Sequence, residues 1–228
     1  MMQFVGGVDD LRGLAAIECR SEQRMRRPGG HPILAATLDL VMRPLARVRT
    51  RVVPRASGRV LEVGVGTGLN AELYESTAVD SLVGIDPDPH MLRRALPRYQ
   101  AMGIPSEVVG CGAEDMPFGD ATFAEVVMTF TLCTIPDVEA SLGEMYRVLV
   151  PGGCVHFAEH TLSDHGVMRA VQRGLRPLWS LCAGGCQLDR DARAMFEGAG
   201  FALEELHGHG RGPANLLPVH RGVARKPA

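Results

Sequence analysis

A parallel β-sheet with helices on both faces, an α/β fold, is predicted by three features of this 228-residue chain. Short apolar runs alternate with helix-patterned segments over roughly a hundred residues. The run Val60-Leu61-Glu62-Val63 feeds straight into Gly64-Val65-Gly66-Thr67-Gly68, a buried strand entering a turn that glycine backbones follow best. A second apolar run, Ser81-Leu82-Val83-Gly84-Ile85, ends on the carboxylate of Asp86.

The length suits one large domain, or a core with a small appendage, and allows a substantial buried core. Hydrophobic residues make up 46% and charged residues 22%, as in a soluble globular protein. A formal net charge of −2 gives no argument for a nucleic-acid partner. Apolar runs are too short for a transmembrane helix, and Met1–Arg12 lacks a signal-peptide pattern. Six scattered cysteines with no secretion signal read as reduced thiols, so a cytoplasmic location is expected.

Residues 1–32 are weakly patterned and read as a loosely docked arm. Ile33–Met42 is apolar at helical spacing, Pro44 interrupts it, and Leu45–Val53 continues with arginines interleaved. This pair of short helices reads either as a cover for the sheet edge or pocket, or as a basic face for peripheral contact with an anionic membrane. Pro54–Gly58 is a turn. The division expected is an N-terminal arm and helical cap, residues 1–58, and a core, residues 59–228.

Leu69–Tyr74 reads as the first turns of a helix after the glycine turn. Residues 91–102 form the next helix, Ile104–Gly112 holds a third strand, and Ala121–Phe130 a fourth. Residues 138–149 form a helix, and Pro151-Gly152-Gly153 turns the chain into a fifth strand, Cys154–Ala158. A helical segment spans Val167–Leu178. Phe201–His209 and Pro218–Arg225 are expected to close the sheet as an antiparallel hairpin around Gly210–Pro213.

The glycine spacing discriminates among ligands. A dinucleotide turn has Gly-x-Gly-x-x-Gly, whereas here the third glycine falls one position early and Leu69 stands in its place. Asp86 lies about 22 residues past Gly64, the separation at which a Rossmann-like unit places an acid on ribose hydroxyls. The alternative is that it caps the helix entered through Pro87-Asp88-Pro89; both roles can hold, but the pairing with the glycine turn favours ribose.

Four motifs in register carry a resemblance: Glu62-x-Gly64-x-Gly66-Thr67-Gly68; Gly84-Ile85-Asp86; Ala113-Glu114-Asp115-Met116-Pro117-Phe118; and Arg147-Val148-Leu149-Val150-Pro151-Gly152-Gly153. Together they resemble class I S-adenosylmethionine (SAM) methyltransferases with a type-11 methyltransferase domain. The resemblance implies a Rossmann-like seven-stranded, mostly parallel sheet whose last strand is antiparallel. It places the methionine part of SAM near Glu62, Gly64, Gly66, Thr67 and Gly68, and ribose at Asp86 beside Pro87. Adenine is implied between Met91 and Ala113-Glu114, and the transferring methyl group near Thr129, Thr131 and Leu132. The product would be S-adenosylhomocysteine. Leu132–Asp137, Glu159-His160 and Trp179–Asp191 look most like bacterial relatives of the methyltransferase-like-seven alkyl-thiol S-methyltransferases. The membrane-attached members carry an N-terminal hydrophobic anchor that this sequence lacks, which speaks against a lipid-borne acceptor.

Methyl transfer from a sulfonium needs alignment rather than a metal. A small-molecule thiol acceptor is partly ionised near neutral pH, whereas an oxygen or carbon acceptor needs a base. Candidate bases are His160, Glu159 and Asp137, although His160 also reads as an exposed loop histidine. Zinc at Cys182 and Cys186 would need two more ligands, with His207 and His209 the local pair. The glycines between the cysteines argue against it, so no metal is expected, and Cys186 reads as a buried or pocket-lining thiol. Asp189-Arg190 read as a helix cap and a surface or interhelix pair. The alternatives are O-, N- or C-methylation of a natural product, quinone or phospholipid head group. A nicotinamide-dependent oxidoreductase is disfavoured by the early third glycine and by Lys226 being the single lysine. A non-catalytic SAM-binding regulator is the third class.

Overall fold

The computed structural model describes residues 30–182, 184–209 and 217–228. The expectations for the arm before residue 30 and for the Gly210–Pro213 turn lie outside them.

Seven strands form one sheet: β1 (Gly58–Val63), β2 (Val79–Ile85), β3 (Ser106–Val109), β4 (Phe123–Thr129), β5 (Leu149–His160), β6 (Ala202–His209) and β7 (Val219–Arg225), in the order β3-β2-β1-β4-β5-β7-β6. β1 pairs in parallel with both β2 and β4, β2 with β3, and β4 with β5. β7 runs antiparallel to both its neighbours, β5 and β6. The expected sheet, with its last strand reversed, is therefore present.

The central strands are nearly continuous apolar runs because both of their faces are covered. Alternation divides them between two cores. Leu61, Val63, Val126 and Met128 pack with Leu142 and Met145 of α4 (Val138–Val148) and Phe196 of α6 (Ala192–Gly198). Val60, Leu82 and Val127 pack on the other face with Ala95 and Tyr99 of α3 (Pro89–Gln100). A one-residue slip in register would exchange these faces, which is what fixes the pairing.

The N-terminal cap consists of α1 (Pro32–Val41), a 3-10 turn at Arg43–Leu45 centred on the expected proline break, and the single-turn α2 (Ala46–Arg49). The helix expected after the glycine turn is instead a 3-10 turn, Ala71–Leu73. Glu75 carbonyl accepts from the N–H groups of both Ala78 and Val79, bending the chain into β2 before a helix can extend. Asn70, Ser76 and Thr77 add little helix propensity to resist that bend. α5 (Gly166–Cys182) is longer than predicted and leads to a Gly184-Gly185 turn. No described helix is long and apolar enough to cross a membrane.

Candidate functional site

The carboxyl ends of β1, β2, β4 and β5 converge on one edge of the sheet, where ligands bind in open α/β folds. The loop after β1 is a cradle of glycines, with Gly64, Gly66 and Gly68 all at positive φ. A Cβ on Gly64 would sit 2.3 Å from the Thr131 side chain, so only glycine lets this loop meet the one after β4.

Two buried acids hold the cradle. Glu62 accepts from Asn70 Nδ2 at 3.0 Å and from the hydroxyls of Tyr74 and Tyr99, each at 2.6 Å. Burial raises its carboxyl pKa, against the pull of those donors. Its oxygens are thus spent on the protein, which makes Glu62 an anchor beneath the loop. Asp86 accepts from Gly66 N–H through one oxygen and from Asp88 N–H through the other, both at 2.9 Å. Asp88, not Asp86, caps α3 by accepting from His90 N–H at 2.8 Å. Asp86 lies mostly out of water, and burial pushes it up to about 6 although the two N–H groups favour its charged form.

A third acid was not foreseen. Asp39 of α1 accepts from the Thr67 hydroxyl at 2.6 Å and pairs with Arg98 of α3, whose guanidinium also donates to Thr67 carbonyl. The cap is thereby fastened to the glycine loop. Arg49 of α2 is buried over the Phe130 ring, 5.2 Å from its centroid, near Glu62 and Glu159.

Met91 is buried on α3, Ala113 is buried after β3, Glu114 is half-buried beside Gly112, and Pro87 is exposed. Thr129 is buried and its hydroxyl oxygen accepts from Asn70 Nδ2 at 3.0 Å.

On the β4–β5 side, Thr131 N–H donates to Glu159 Oε1 at 2.8 Å. Glu159 is fully buried, and burial pushes it up to about 7 in spite of that bond. Leu132 is buried behind Thr131. Asp137 is exposed and caps α4 by accepting from Ala140 N–H at 3.0 Å. His160 is half-buried, with its ring 5.1 Å from that of Phe130 and Nδ1 4.0 Å from Cys133 Sγ.

Cys133, His160 and Cys186 form one cluster, their candidate ligand atoms all within 4.8 Å of one another. The Cys133 hydrogen bond and the neighbouring His160 lower the Cys186 pKa, and the same contact raises that of Cys133. Of the zinc ligands weighed from sequence, His207 instead faces Glu205 on β6 at 3.5 Å; the side chains of Cys182 and His209 lie outside the described residues. Arg190 is not a surface residue. Its guanidinium is buried and donates to the carbonyls of Leu132 and Ile135, while Asp189 pairs with Arg176 and Asp191 caps α6.

The methyltransferase domain family matches residues 61–157. Phosphatidylethanolamine N-methyltransferase of Cereibacter sphaeroides is 38% identical over 134 residues, or 58% of this chain and 64% of that one; the match thus spans just under two thirds of that relative. A human thiol S-methyltransferase is 31% identical over 170 residues, covering 72% of this chain and 68% of its own. Among solved structures, an S-adenosylmethionine-dependent methyltransferase from Mesorhizobium loti superposes with a TM-score of 0.61 at 19% identity, covering 81% of this chain and 97% of that one; this likeness bears on the fold.

Proposed function

Because the chain belongs to the SAM-dependent methyltransferase family, we propose that it moves a methyl group from SAM to the sulfur of a small-molecule thiol. The observation that carries this reading is the contact of the Gly64 loop with Thr131, at whose far side stand Cys133 and His160. Donor loop and acceptor loop meet at the ends of adjacent strands, which is what an in-line transfer between two bound molecules requires.

The cradle fits the donor on this chain's own chemistry: its glycines hold the positive-φ turn closely against Thr131 and Ala95, and Asp86 offers a carboxylate for a cis-diol. SAM supplies an activated methyl on a sulfonium. Glu62 and Asp39 keep Gly64–Gly68 in one shape, and Met91, Ala113 and Glu114 flank the place for the base. Glu159 orients Thr131 and Leu132 beside the reacting centre. His160 stands where it could take the proton of a thiol, a role for which Asp137, spent on capping α4, is less suited. Residues 59–228 supply this machinery, and the described part of the cap, residues 30–58, covers it through Asp39 and Arg49.

A second reading keeps the donor and changes the acceptor to a lipid-borne amine or quinone, drawn from a membrane the protein touches from the cytoplasmic side. The solvent-exposed row Val167, Val171, Leu175, Leu178 and Leu181 along one face of α5 supports peripheral contact.

Transfer of label from SAM to a panel of small thiols, phenols, amines and quinols tests the choice. Turnover restricted to thiols is expected; turnover with phenols or amines alone would sink the thiol assignment. Binding of NADH without binding of SAM would remove the whole reading.

A further inference from the structure

Two cysteines 53 positions apart and a histidine from a third segment meet at the acceptor edge of the sheet, as Cys133, Cys186 and His160. None of them is needed to hold the segments together. Gln187 N–H donates to Cys133 carbonyl at 2.8 Å, and Arg190 donates to the carbonyls of Leu132 and Ile135, so the loop after β4 is fastened to the loop after α5 without the thiols. His160 is set by the β5 ladder, where it pairs with Val219 of β7. The Gly184-Gly185 turn, both residues at positive φ, delivers Cys186 to the cluster.

A rigid frame around two buried thiols and an imidazole is the donor set of a thiophilic cation. In a tetrahedral zinc site the sulfurs stand about 2.3 Å and the nitrogen about 2.0 Å from the metal, so neighbouring ligand atoms lie roughly 3.5–3.8 Å apart. The present separations, up to 4.8 Å with Cys133 Sγ to His160 Nδ1 at 4.0 Å, need only about an ångström of closure to reach that. Three protein ligands with a free fourth position is the pattern of a catalytic rather than a closed structural site.

The other such cluster among the described residues, Glu125, Cys154 and His156, does not present itself in this way. Its histidine already bonds Glu125 at 3.0 Å, and Glu125 also accepts from Ser57 N–H at 2.9 Å. It lies within β4 and the middle of β5, before the carboxyl ends at Thr129 and His160 that face the glycine loop.

We propose that Cys133, Cys186 and His160 bind one zinc-class divalent cation, whose fourth position takes the acceptor thiol as its thiolate. This rests on the thiol-methylation reading. On binding, the thiol loses its proton to solvent; with the cation in place His160 is a ligand, and its role as base belongs to the cation-free protein alone. The thiolate electron pair forms the new sulfur–carbon bond, and the methyl–sulfonium bond breaks with its pair left on the sulfur of S-adenosylhomocysteine. The methylated thioether, a weaker ligand than a thiolate, then leaves the cation.

The test uses the phosphine-reduced full chain, stripped with chelator and titrated with cobalt(II). A single equivalent should bind with thiolate-to-cobalt charge-transfer absorption and tetrahedral visible bands. Cys133→Ser and Cys186→Ser should lose the charge-transfer intensity by about half or more, His160→Asn should weaken cobalt binding at least tenfold, and Cys154→Ala should change neither. Adding 2-mercaptoethanol should shift the charge-transfer band. Absence of the bands in wild type, their persistence in both serine variants, their loss in Cys154→Ala, or no response to the added thiol would each overturn the proposal. Should a serine variant fail to fold, zinc X-ray absorption of the wild-type protein decides: a shell with two sulfurs supports the site, and one of nitrogen and oxygen alone refutes it. The cobalt signal is read without SAM, so its absence and a failure of thiol methylation are separately visible.

Discussion

Asp39 accepts a 2.6 Å hydrogen bond from the Thr67 hydroxyl, tying the N-terminal cap to the middle of the glycine loop. The same carboxylate pairs with Arg98 at 2.6 Å, so cap, loop and α3 share one acid. Asp39→Ala should therefore loosen the loop. Loss of a partly exposed, charge-assisted pair of bonds is worth about 1–2 kcal/mol, which predicts a SAM dissociation constant roughly ten times higher. Calorimetric titration of the variant checks this, and an unchanged constant would show that the cap is irrelevant to the donor site.

Asp86 gives a pH dependence with a definite sign. Its folded pKa is pushed up from 3.8 to about 6, first by burial. In the unliganded protein this group's contribution to stability is fully present below about 3.8 and is lost as pH rises through 6. Ribose hydroxyls donate to the ionised carboxylate, so SAM affinity runs the other way and weakens as pH falls through 6. SAM titrations on either side of that value should show the step, and Asp86→Asn should bind weakly with the step removed. A wild-type affinity flat across this range would contradict the ribose role.

The alternation of strands and helices was legible because each central strand is a continuous apolar run buried on both faces. Gly64–Gly68 and Asp86 were legible because their relation is local, within one strand–turn–strand unit. Arg190 was not. Its contact with Leu132 joins residues 58 apart, and nothing in Asp189-Arg190-Asp191 distinguishes a buried guanidinium from a surface one. Asp39 was hidden for the same reason, since its link to Thr67 depends on how α1 docks. Cys182 and Cys186 are near in sequence, whereas the approach of Cys133 to Cys186 exists only after the loops fold together. The helix expected after Gly68 is absent because the turn at Glu75–Val79 bends the chain into β2, although Leu69, Ala71, Glu72 and Leu73 favour helix.

Arg190 separates acceptor geometry from donor binding. Its planar fork reaches the Leu132 and Ile135 carbonyls together, which a lysine ammonium cannot reproduce. Arg190→Lys should cost about 2–3 kcal/mol of stability, a fall of roughly 5–10 °C in Tm for a chain of this size. At a temperature where the variant is folded, SAM affinity should stay within about twofold while the methyl-transfer rate drops tenfold or more. Thermal melts, SAM titration and single-turnover rates separate these effects. A parallel loss of SAM affinity would mean that Arg190 supports the whole site rather than the acceptor loop.

The exposed face of α5 makes the last prediction. Leu178 and Leu181 are 64% and 82% exposed and lie on the row that begins at Val167 and Val171. On a vesicle this row would enter the lipid surface, while Arg169 and Arg176, on the opposite face of α5, stay bonded to the Ser163 carbonyl and to Asp189. Replacing both leucines by glutamate removes buried apolar area and adds charge repulsion, so vesicle partitioning should fall at least about tenfold. Solvent-exposed substitutions change stability little, so the Tm should move by no more than about 1–2 °C. Co-sedimentation with anionic vesicles measures the first quantity and thermal melting the second. Equal partitioning of wild type and variant would exclude α5 as a membrane-facing helix and leave the lipid-borne acceptor without structural support.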